Sequence, residues 1–456
     1  MDRRELLRLL GLVLLGSGTG AYSIGKDRGG GIPDRQVLII GAGLAGLAAA
    51  RELGQHGQES IVLEARDRIG GRIYTSNRWP DLPLDLGATW IHGVNGNPIT
   101  AIADQIGARR LITSDERAAI YNTNGAEITA PERARLGGIS KQMQAGLRRA
   151  QNSERDGSLQ QSISLLEKQL ANSSSDRRFL SFCLSSEIEH EYAGSARQLS
   201  SHWFDSDKKL EGDDALFAQG YKLITDYLAQ GLDVRRNQVV QEVHWQGPRI
   251  RVRTPDKEYL ADRVVVTLPL GVLQHKGVKF IPELPAEKLN AINKLGMGVL
   301  NKCCLRFTQA FWPRDIDWLQ YISAQHGEWT EWVSYQRAAQ MPVLVGFNAA
   351  DRGRQIEAWS EEQIVASAMQ TLRTIFGAGI PDPIDHQITR WAADPFARGS
   401  YSFPALGSTP EMRNLLARPV DRRLFFAGEA TNKDFFATAH GAYWSGLRAA
   451  TELLAS

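Results

Sequence analysis

Residues 35–73, RQVLIIGAGLAGLAAARELGQHGQESIVLEARDRIGGRI, constrain the fold more than any other stretch of the chain. Val37–Ile40 is a short apolar run suited to a buried parallel strand. Gly41-Ala42-Gly43-Leu44-Ala45-Gly46 follows at once and opens an Ala/Leu-rich helix, and Ile61-Val62-Leu63 forms the next strand, ending on Glu64. Each part has a physical reason. Gly41 permits a tight turn, Gly43 lets the backbone approach a pyrophosphate, and Gly46 lets helix and strand pack closely. The helix N-terminus at Leu44 and Ala45 presents free N–H groups to the phosphates. Glu64, near the usual spacing of about 20 residues, accepts hydrogen bonds from ribose hydroxyls, with Ala65 and Arg66 beside it. A G-x-G-x-x-G alone is a weak signal. Strand, glycines, helix, second strand and terminal acid in this order predict an α/β, Rossmann-like domain.

Size and charge narrow the rest. With 456 residues and 43% hydrophobic content, the chain can bury cores for two or three domains. Its 53 basic and 51 acidic residues leave a net charge of +2, so no global field gathers nucleic acid. The three cysteines, Cys183, Cys303 and Cys304, form no disulfide framework and no C-x-x-C pair. The nine histidines show no H-E-x-x-H spacing, which sets metal catalysis aside. Residues 1–32 differ in texture: a basic start with Arg3-Arg4, an apolar run over 6–15, then small residues and Gly29-Gly30-Gly31. This pattern fits a twin-arginine-like export signal and linker, leading to a periplasmic or lumenal protein. The run is too short for a secure membrane span. An amphipathic N-terminal helix on a cytoplasmic protein is the alternative.

A second glycine pair with an arginine, Gly70-Gly71-Arg72, lies shortly beyond Glu64, as though the chain tracks a cofactor longer than NAD. GAGLAGLAAARELGQHG, VLEARDRIGGRI, LGATWIHG and LFFAGEATNKDFFATAHGAYWSGLRAA together resemble the flavin-containing amine oxidases, over about residues 35–456. Within that family the motifs are most similar to polyamine oxidases of the spermine oxidase type. The resemblance implies a discontinuous FAD-binding domain over 33–104, 212–294 and 386–456, and a mixed α+β substrate-binding domain over 105–211 and 295–385. It assigns Gly87, Ala88, Thr89 and Trp90 to wrapping the flavin, Val240 to the adenine end, and Gly428 and Glu429 to the ribityl and pyrophosphate. It also places Gly71 and Arg72 along the cofactor and Trp391 against the isoalloxazine. The residues agree with such a layout. Residues 237–273 alternate as antiparallel strands and return at 264–268 to a buried strand, and a helix is predicted near Glu361–Phe376.

Amine oxidation by hydride transfer to flavin N5 requires a neutral reacting nitrogen, while distant nitrogens of a polyamine stay cationic. Such a substrate calls for aromatic faces near the reacting centre and carboxylates farther out. Residues 179–194, FLSFCLSSEIEHEYAG, read as a helix stopped by Gly194. At 100° per residue, Leu180, Leu184, Ile188 and Tyr192 form a stripe that includes Glu191 and leaves Glu189 on the solvated side. A buried carboxylate near a helix C-terminus is relieved by a substrate ammonium, and the resemblance makes Glu191 a substrate-binding residue; a pair with Arg197 is the structural alternative. The resemblance also sets Tyr401 and Tyr443 as rings sandwiching the substrate, and Lys302 as a lysine linked through water to flavin N5.

The stretch GATWIHGVNGNPI, residues 87–99, has four Gly or Pro among its thirteen positions, so it reads as a loop whose backbone makes close approaches. A lone histidine in such a loop is commonly a satisfied core or surface residue. Beside a GATW that wraps the flavin, His92 instead reaches the catalytic tunnel, where an imidazole can hydrogen-bond a secondary amine and favour its neutral form. The expected activity is FAD-dependent oxidation of polyamines, spermine preferred and spermidine within range, at the exo carbon. Dioxygen is the acceptor, and the products are spermidine, 3-aminopropanal and hydrogen peroxide. An L-amino-acid or monoamine oxidase on the same scaffold, the former using Arg398 for a carboxylate, stays open, as does a flavin-bound interaction protein. No nucleic-acid partner is expected, and membrane contact only through an uncleaved leader. No cysteine stands where monoamine oxidases hold their flavin covalently, so precipitating the protein with trichloroacetic acid is expected to release all yellow colour to the supernatant. Colour retained in the pellet contradicts this.

Overall fold

In the computed structural model, residues 36–456 are described, and the leader expected over 1–32 lies outside them. Strand β1, Val37–Ile40, is buried at every position, as a strand covered on both faces must be. Gly41 then turns the chain with φ 105° into helix α1, Leu44–Gln55, and β2, Ser60–Leu63, returns parallel to β1. Three later segments complete this sheet: β3, Asp233–Arg235; β4, Arg263–Val266; and β5, Leu424–Phe426. The order is β5-β4-β1-β2-β3, all parallel. Strand order reverses between β1 and β4, so a crevice opens there beyond the carboxyl ends, where doubly wound sheets hold their ligands.

Apolar residues cover both faces. Val37, Ile39, Val62, Val265 and Phe425 point to the side carrying α1 and the C-terminal helix α2, Ala439–Leu454. Leu38, Ile40, Val264, Val266 and Phe426 point to the other, which packs beneath a mixed sheet built from 242–244, 250–253, 258–261 and 279–281, antiparallel except where 242–244 pairs with 279–281. Two glycines set the spacing of this layer. A Cβ at Gly46 would lie 2.0 Å from Gly41 O, and one at Gly446 would lie 2.2 Å from Ala45 O, where α2 crosses α1.

A six-stranded sheet forms the second region, in the order Asp385–Ile388, Leu300–Arg306, Val343–Ala349, Glu331–Ser334, Trp318–Tyr321, Ala118–Tyr121. Its pairs are antiparallel except the last, which is parallel. Helix Glu361–Phe376 has the expected limits, begins with a Ser360/Gln363 capping box, and buries Ile364, Ala368, Met369 and Leu372 against this sheet. Ala130–Gln151 and the shorter helices through Ser174–Leu184 supply a separate apolar cluster. The α/β domain and the mixed second region expected from sequence are thus both present.

The helix expected over 179–194 departs from a regular helix. It runs as α-helix over Ser174–Leu184, widens to a π-helical turn over Ser185–Glu189, and resumes over His190–Tyr192. Ala193, not Gly194, takes the left-handed terminating conformation, with φ 54°. Gly194 serves packing instead, since a Cβ there would lie 2.9 Å from the Phe403 ring. Among the described residues, no helix is long and apolar enough to cross a membrane. The Gly446 contact gives a stability test. Gly446→Val forces α2 off α1 and is expected to cost about 1–3 kcal/mol, read as a lower denaturation midpoint; an unchanged midpoint contradicts the close contact.

Candidate active site

A single cavity of about 1430 Å³ runs from the crevice at β1 and β4 to the six-stranded sheet. Its nucleotide end is lined by Gly41, Gly43, Leu44, Ala45, Glu64, Ala65, Arg66, Gly71, Arg72 and Val240. Gly46 lies just behind, as its packing role requires. A Cβ at Gly43 would meet no protein atom closer than Gly70 O at 3.9 Å, and one at Gly428 would meet nothing within 4 Å. The space at these glycines is therefore left for a ligand. No side chain caps α1, so its first N–H groups face the cavity with no protein acceptor supplied by a cap. Glu64 is aimed by backbone donors: Ala42 N reaches one carboxylate oxygen at 2.8 Å and Arg66 N the other at 2.9 Å. These features fit a dinucleotide such as FAD.

Farther along, Arg72 donates to Ser400 O at 2.9 Å and to the Glu429 carboxylate at 2.8 Å. Burial raises the Glu429 carboxyl, but Arg72 and Arg413 outweigh it and hold the group below the usual carboxylate range. Gly87 is obligatory here, because a Cβ would lie 1.9 Å from Arg72 O. Ala88, Thr89, Trp90, Trp391, Gly428 and Glu429 line the same cavity. Trp391 Nε1 donates to Leu86 O at 3.3 Å, which fixes its ring beside the loop.

Lys302 links the two ends. Its Nζ donates to Asp85 O and Gly87 O, each at 2.8 Å, and to Thr89 Oγ1. Each of the three ammonium protons thus has an acceptor in the loop. Burial lowers its pKa to about 8, against Cys304 and Asp85, which raise it. Beyond it lies a slot of rings. Trp90 stacks on Trp318 at 5.7 Å and 15°, with Phe347 at 6.3 Å from Trp90. Tyr401 lines the slot, its hydroxyl donating to His190 O at 2.6 Å.

His92 lines this cavity too, its side chain 58% exposed. Nδ1 lies 2.7 Å from Asp214 Oδ2, and the other oxygen of Asp214 accepts from Gly93 N at 2.9 Å. Burial acts to lower the imidazole pKa, but the hydrogen bond and charge of Asp214, with Glu191 behind, raise it overall. Nearby His440 receives Asn97 Nδ2 at 3.4 Å and is driven down to about 4 by burial and by His92.

Three expectations are corrected. Tyr443 does not line the cavity; it packs partly buried on the α1 side of α2, near Arg51, Glu52 and Tyr227. The cavity is met instead by Thr438, Ala439, His440 and Ala442 at the start of that helix. Glu191 does line the cavity, but its side chain is 51% exposed and lies 3.5 Å from Lys209, not Arg197. Glu189, expected in solvent, is 5% exposed and accepts from Ala196 N at 3.2 Å and pairs with His326 at 2.7 Å. The π-helical turn advances the helix by a wider step, so the two acids exchange faces. Sequence reasoning missed Asp214, His190, Glu331, Trp318 and Phe347. None carries a local motif; Asp214, Trp318, Glu331 and Phe347 come to the site on strands paired far along the chain, and His190 on the short helix that follows the π-helical turn.

A dinucleotide cradle that opens into a ring-lined slot with a paired histidine defines a flavoprotein oxidoreductase. The family profile described as flavin containing amine oxidoreductase matches residues 44–454. Polyamine oxidase 4 of Oryza sativa subsp. japonica is 33% identical over 435 residues, covering 91% of this chain and 88% of that protein. The chain belongs to the flavin-containing amine oxidase family, and its cofactor is FAD. Lysine-specific histone demethylase 1 homolog 3 from the same plant is 33% identical over 91% of this chain and 54% of its own length. Human lysine-specific histone demethylase 2 is 30% identical over 98% of this chain and 56% of its own. The chain thus spans about half the length of these demethylase relatives. A redesigned putrescine oxidase shares the fold, with TM-score 0.74 at 18% identity, over 92% of this chain and 99% of that one.

Asp214 is the group that raises His92, so Asp214→Asn is expected to lower the pH at which His92 titrates. Ring resonances of protein labelled with carbon-13 histidine measure this directly; an unmoved titration contradicts the pairing.

Proposed function

We propose that this chain is an FAD-dependent polyamine oxidase that prefers spermine, takes spermidine as well, and is exported through its N-terminal leader. The observation that supports it most is the His92–Asp214 pair at 2.7 Å, on the wall of the cavity that also carries the dinucleotide cradle and the ring slot. The reaction is the oxidation of the exo carbon beside a secondary amine. Spermine, dioxygen and water yield spermidine, 3-aminopropanal and hydrogen peroxide. Bound FAD supplies the two-electron acceptor that dioxygen restores. The protein's own part is to bind, orient and set protonation.

A protonated nitrogen has no electron pair to support loss of hydride from the adjacent carbon. His92, neutral above its raised pKa, accepts a proton or hydrogen bond from the secondary amine, and Asp214 stabilises the imidazolium that results. Trp90, Trp318 and Phe347 exclude water from the chain of methylenes and present ring faces to nearby cations. Glu191 and its neighbour Asp207 give the mouth an anionic rim, partly offset by Lys209. Lys302 holds the loop that carries Thr89 and Trp90, its ammonium donating to Asp85 O, Gly87 O and Thr89 Oγ1.

An amino-acid substrate requires a cation for its carboxylate near His92. Arg398, expected for that task, has its backbone carbonyl against Gly271 after β4, at the cofactor end of the cavity. The demethylase relatives favour a second reading with the same chemistry, in which the amine is an N-methylated lysine of a protein tail.

The test is anaerobic bleaching of the yellow protein with spermine, spermidine, a monoamine, an L-amino acid and a dimethyl-lysine peptide, followed by product analysis. Spermine is expected to bleach fastest and give 3-aminopropanal on readmission of air; 1,3-diaminopropane as product reverses the exo assignment. His92→Gln is expected to keep FAD, to lose about 100–10,000-fold in kcat/KM near neutrality, and to recover only at alkaline pH, where the substrate amine deprotonates unaided. A pH profile that matches the wild type removes His92 from the mechanism.

A further inference from the structure

A cluster outside the cavity has no role in the chemistry above. Ser181 Oγ lies 2.8 Å from His326 Nδ1, and His326 Nε2 lies 2.7 Å from Glu189 Oε2. The other oxygen of Glu189 accepts from Ala196 N at 3.2 Å, so this buried carboxylate has a partner at each oxygen. Neither Glu189 nor His326 lines the cavity, whereas Glu187, Ile188, His190 and Glu191 all do.

The cluster bridges the π-helical turn. Ser181 stands before that turn and Glu189 is its last residue. Eight regular steps of about 100° would leave these two side chains roughly 80° apart around the helix, on different faces. Over Ser185–Glu189 the helix turns less per residue, with His190 N donating to Ser185 O five residues back, and this brings Ser181 and Glu189 to one face. His326 joins them from the loop between Trp318–Tyr321 and Glu331–Ser334. Burial acts to lower its pKa, and Arg197 adds to that, but the hydrogen bond and charge of Glu189 raise it overall. An imidazolium donates through both ring nitrogens, which suits a hydroxyl at one and a carboxylate at the other. Without His326, Glu189 keeps a single backbone donor in a buried place, a cost that rotation of the carboxylate toward solvent relieves.

What the turn carries reaches the cavity. His190–Tyr192 is the last turn of the helix and Ala193 ends it, so the carbonyls there lack partners within the helix. Tyr401 supplies one partner, its hydroxyl donating to His190 O at 2.6 Å. Val299 N supplies another, donating to Ala193 O at 2.9 Å beside the strand that bears Lys302. A rotation at the turn therefore moves the acceptor that holds Tyr401, a ring of the slot.

We propose that His326 and Glu189 are positioning residues for the oxidation: with Ser181 they lock the π-helical turn, and through His190 O the turn fixes Tyr401 beside the substrate. The inference rests on the amine-oxidase reading for its kinetics and on the fold alone for the lock.

The experiment makes two measurements on the holoenzyme: hydrogen exchange of the backbone amides over 185–192, and the limiting rate of anaerobic flavin reduction by spermine. The variants are His326→Gln, His326→Arg, Tyr401→Phe and the double variant His326→Gln/Tyr401→Phe. The His326 side chain is 44% exposed, so its replacement leaves the fold in place. His326→Gln is expected to speed exchange over 185–192 and to slow reduction about 3–10-fold, the size of one lost hydrogen bond. The loss falls on the limiting rate more than on the spermine concentration at half-saturation. His326→Arg keeps a cationic donor for Glu189 and is expected to recover part of both. In the Tyr401→Phe background His326→Gln is expected to add little, because the bond through which it acts is already gone. Equal slowing in both backgrounds, or faster exchange with an unchanged rate, overturns the positioning role; unchanged exchange overturns the lock. A wild type whose flavin spermine does not bleach removes the spermine reading and the positioning role with it, while exchange still decides the lock.

Discussion

The ammonium of Lys302, nearly buried, sits among Asp85 O, Gly87 O and Thr89 Oγ1. It comes from the central part of the six-stranded sheet, and its acceptors belong to the loop that leads from the cofactor crevice. Both regions depend on this meeting. Burying an ammonium is costly unless every proton finds an acceptor, and burying three acceptors is costly unless they find donors. Each side therefore holds the other, and the loop's position fixes Trp90 and His92 immediately downstream. Burial draws the Lys302 pKa down to about 8, against Cys304 and Asp85, which raise it.

The same balance recurs in the histidines. His92 is raised by Asp214, while His440, in the same cavity and tied through Asn97 to the backbone of the His92 loop, is driven down to about 4. Two imidazoles so close cannot both charge near neutrality, and the carboxylate decides which one does. His190 is a third case, held by Glu331 and shut from solvent at its other nitrogen. The cavity thus contains three histidines with three different tasks, set by their partners rather than by the residue type.

How much of this was legible in sequence depended on how local the cause was. The β1–α1–β2 unit, the spacing of Gly41, Gly43 and Gly46, and the acid at Glu64 follow from contacts within thirty residues, and the fold reproduces them. The limits of Glu361–Phe376 follow from its capping box and apolar stripe. Glu189 and Glu191 were misplaced because a regular 100° step was carried through a π-helical turn that no residue announces. Tyr443 was misplaced because the helix that begins at the cavity lies against α1 one turn later. Asp214 and Glu331 reach the site only through long-range strand pairing, for which the chain offers no neighbouring mark.

The parallel sheet takes its central strand from Val37–Ile40 and its edge strand from Leu424–Phe426, and the first helix is packed by the last. On a ribosome, the opening glycine motif emerges long before the elements that enclose it. The nascent chain must keep that apolar strand and helix from misassociating while the whole second region is made. The crevice is therefore complete only once Leu424–Phe426 and Ala439–Leu454 have joined the strand and helix that the first thirty described residues form.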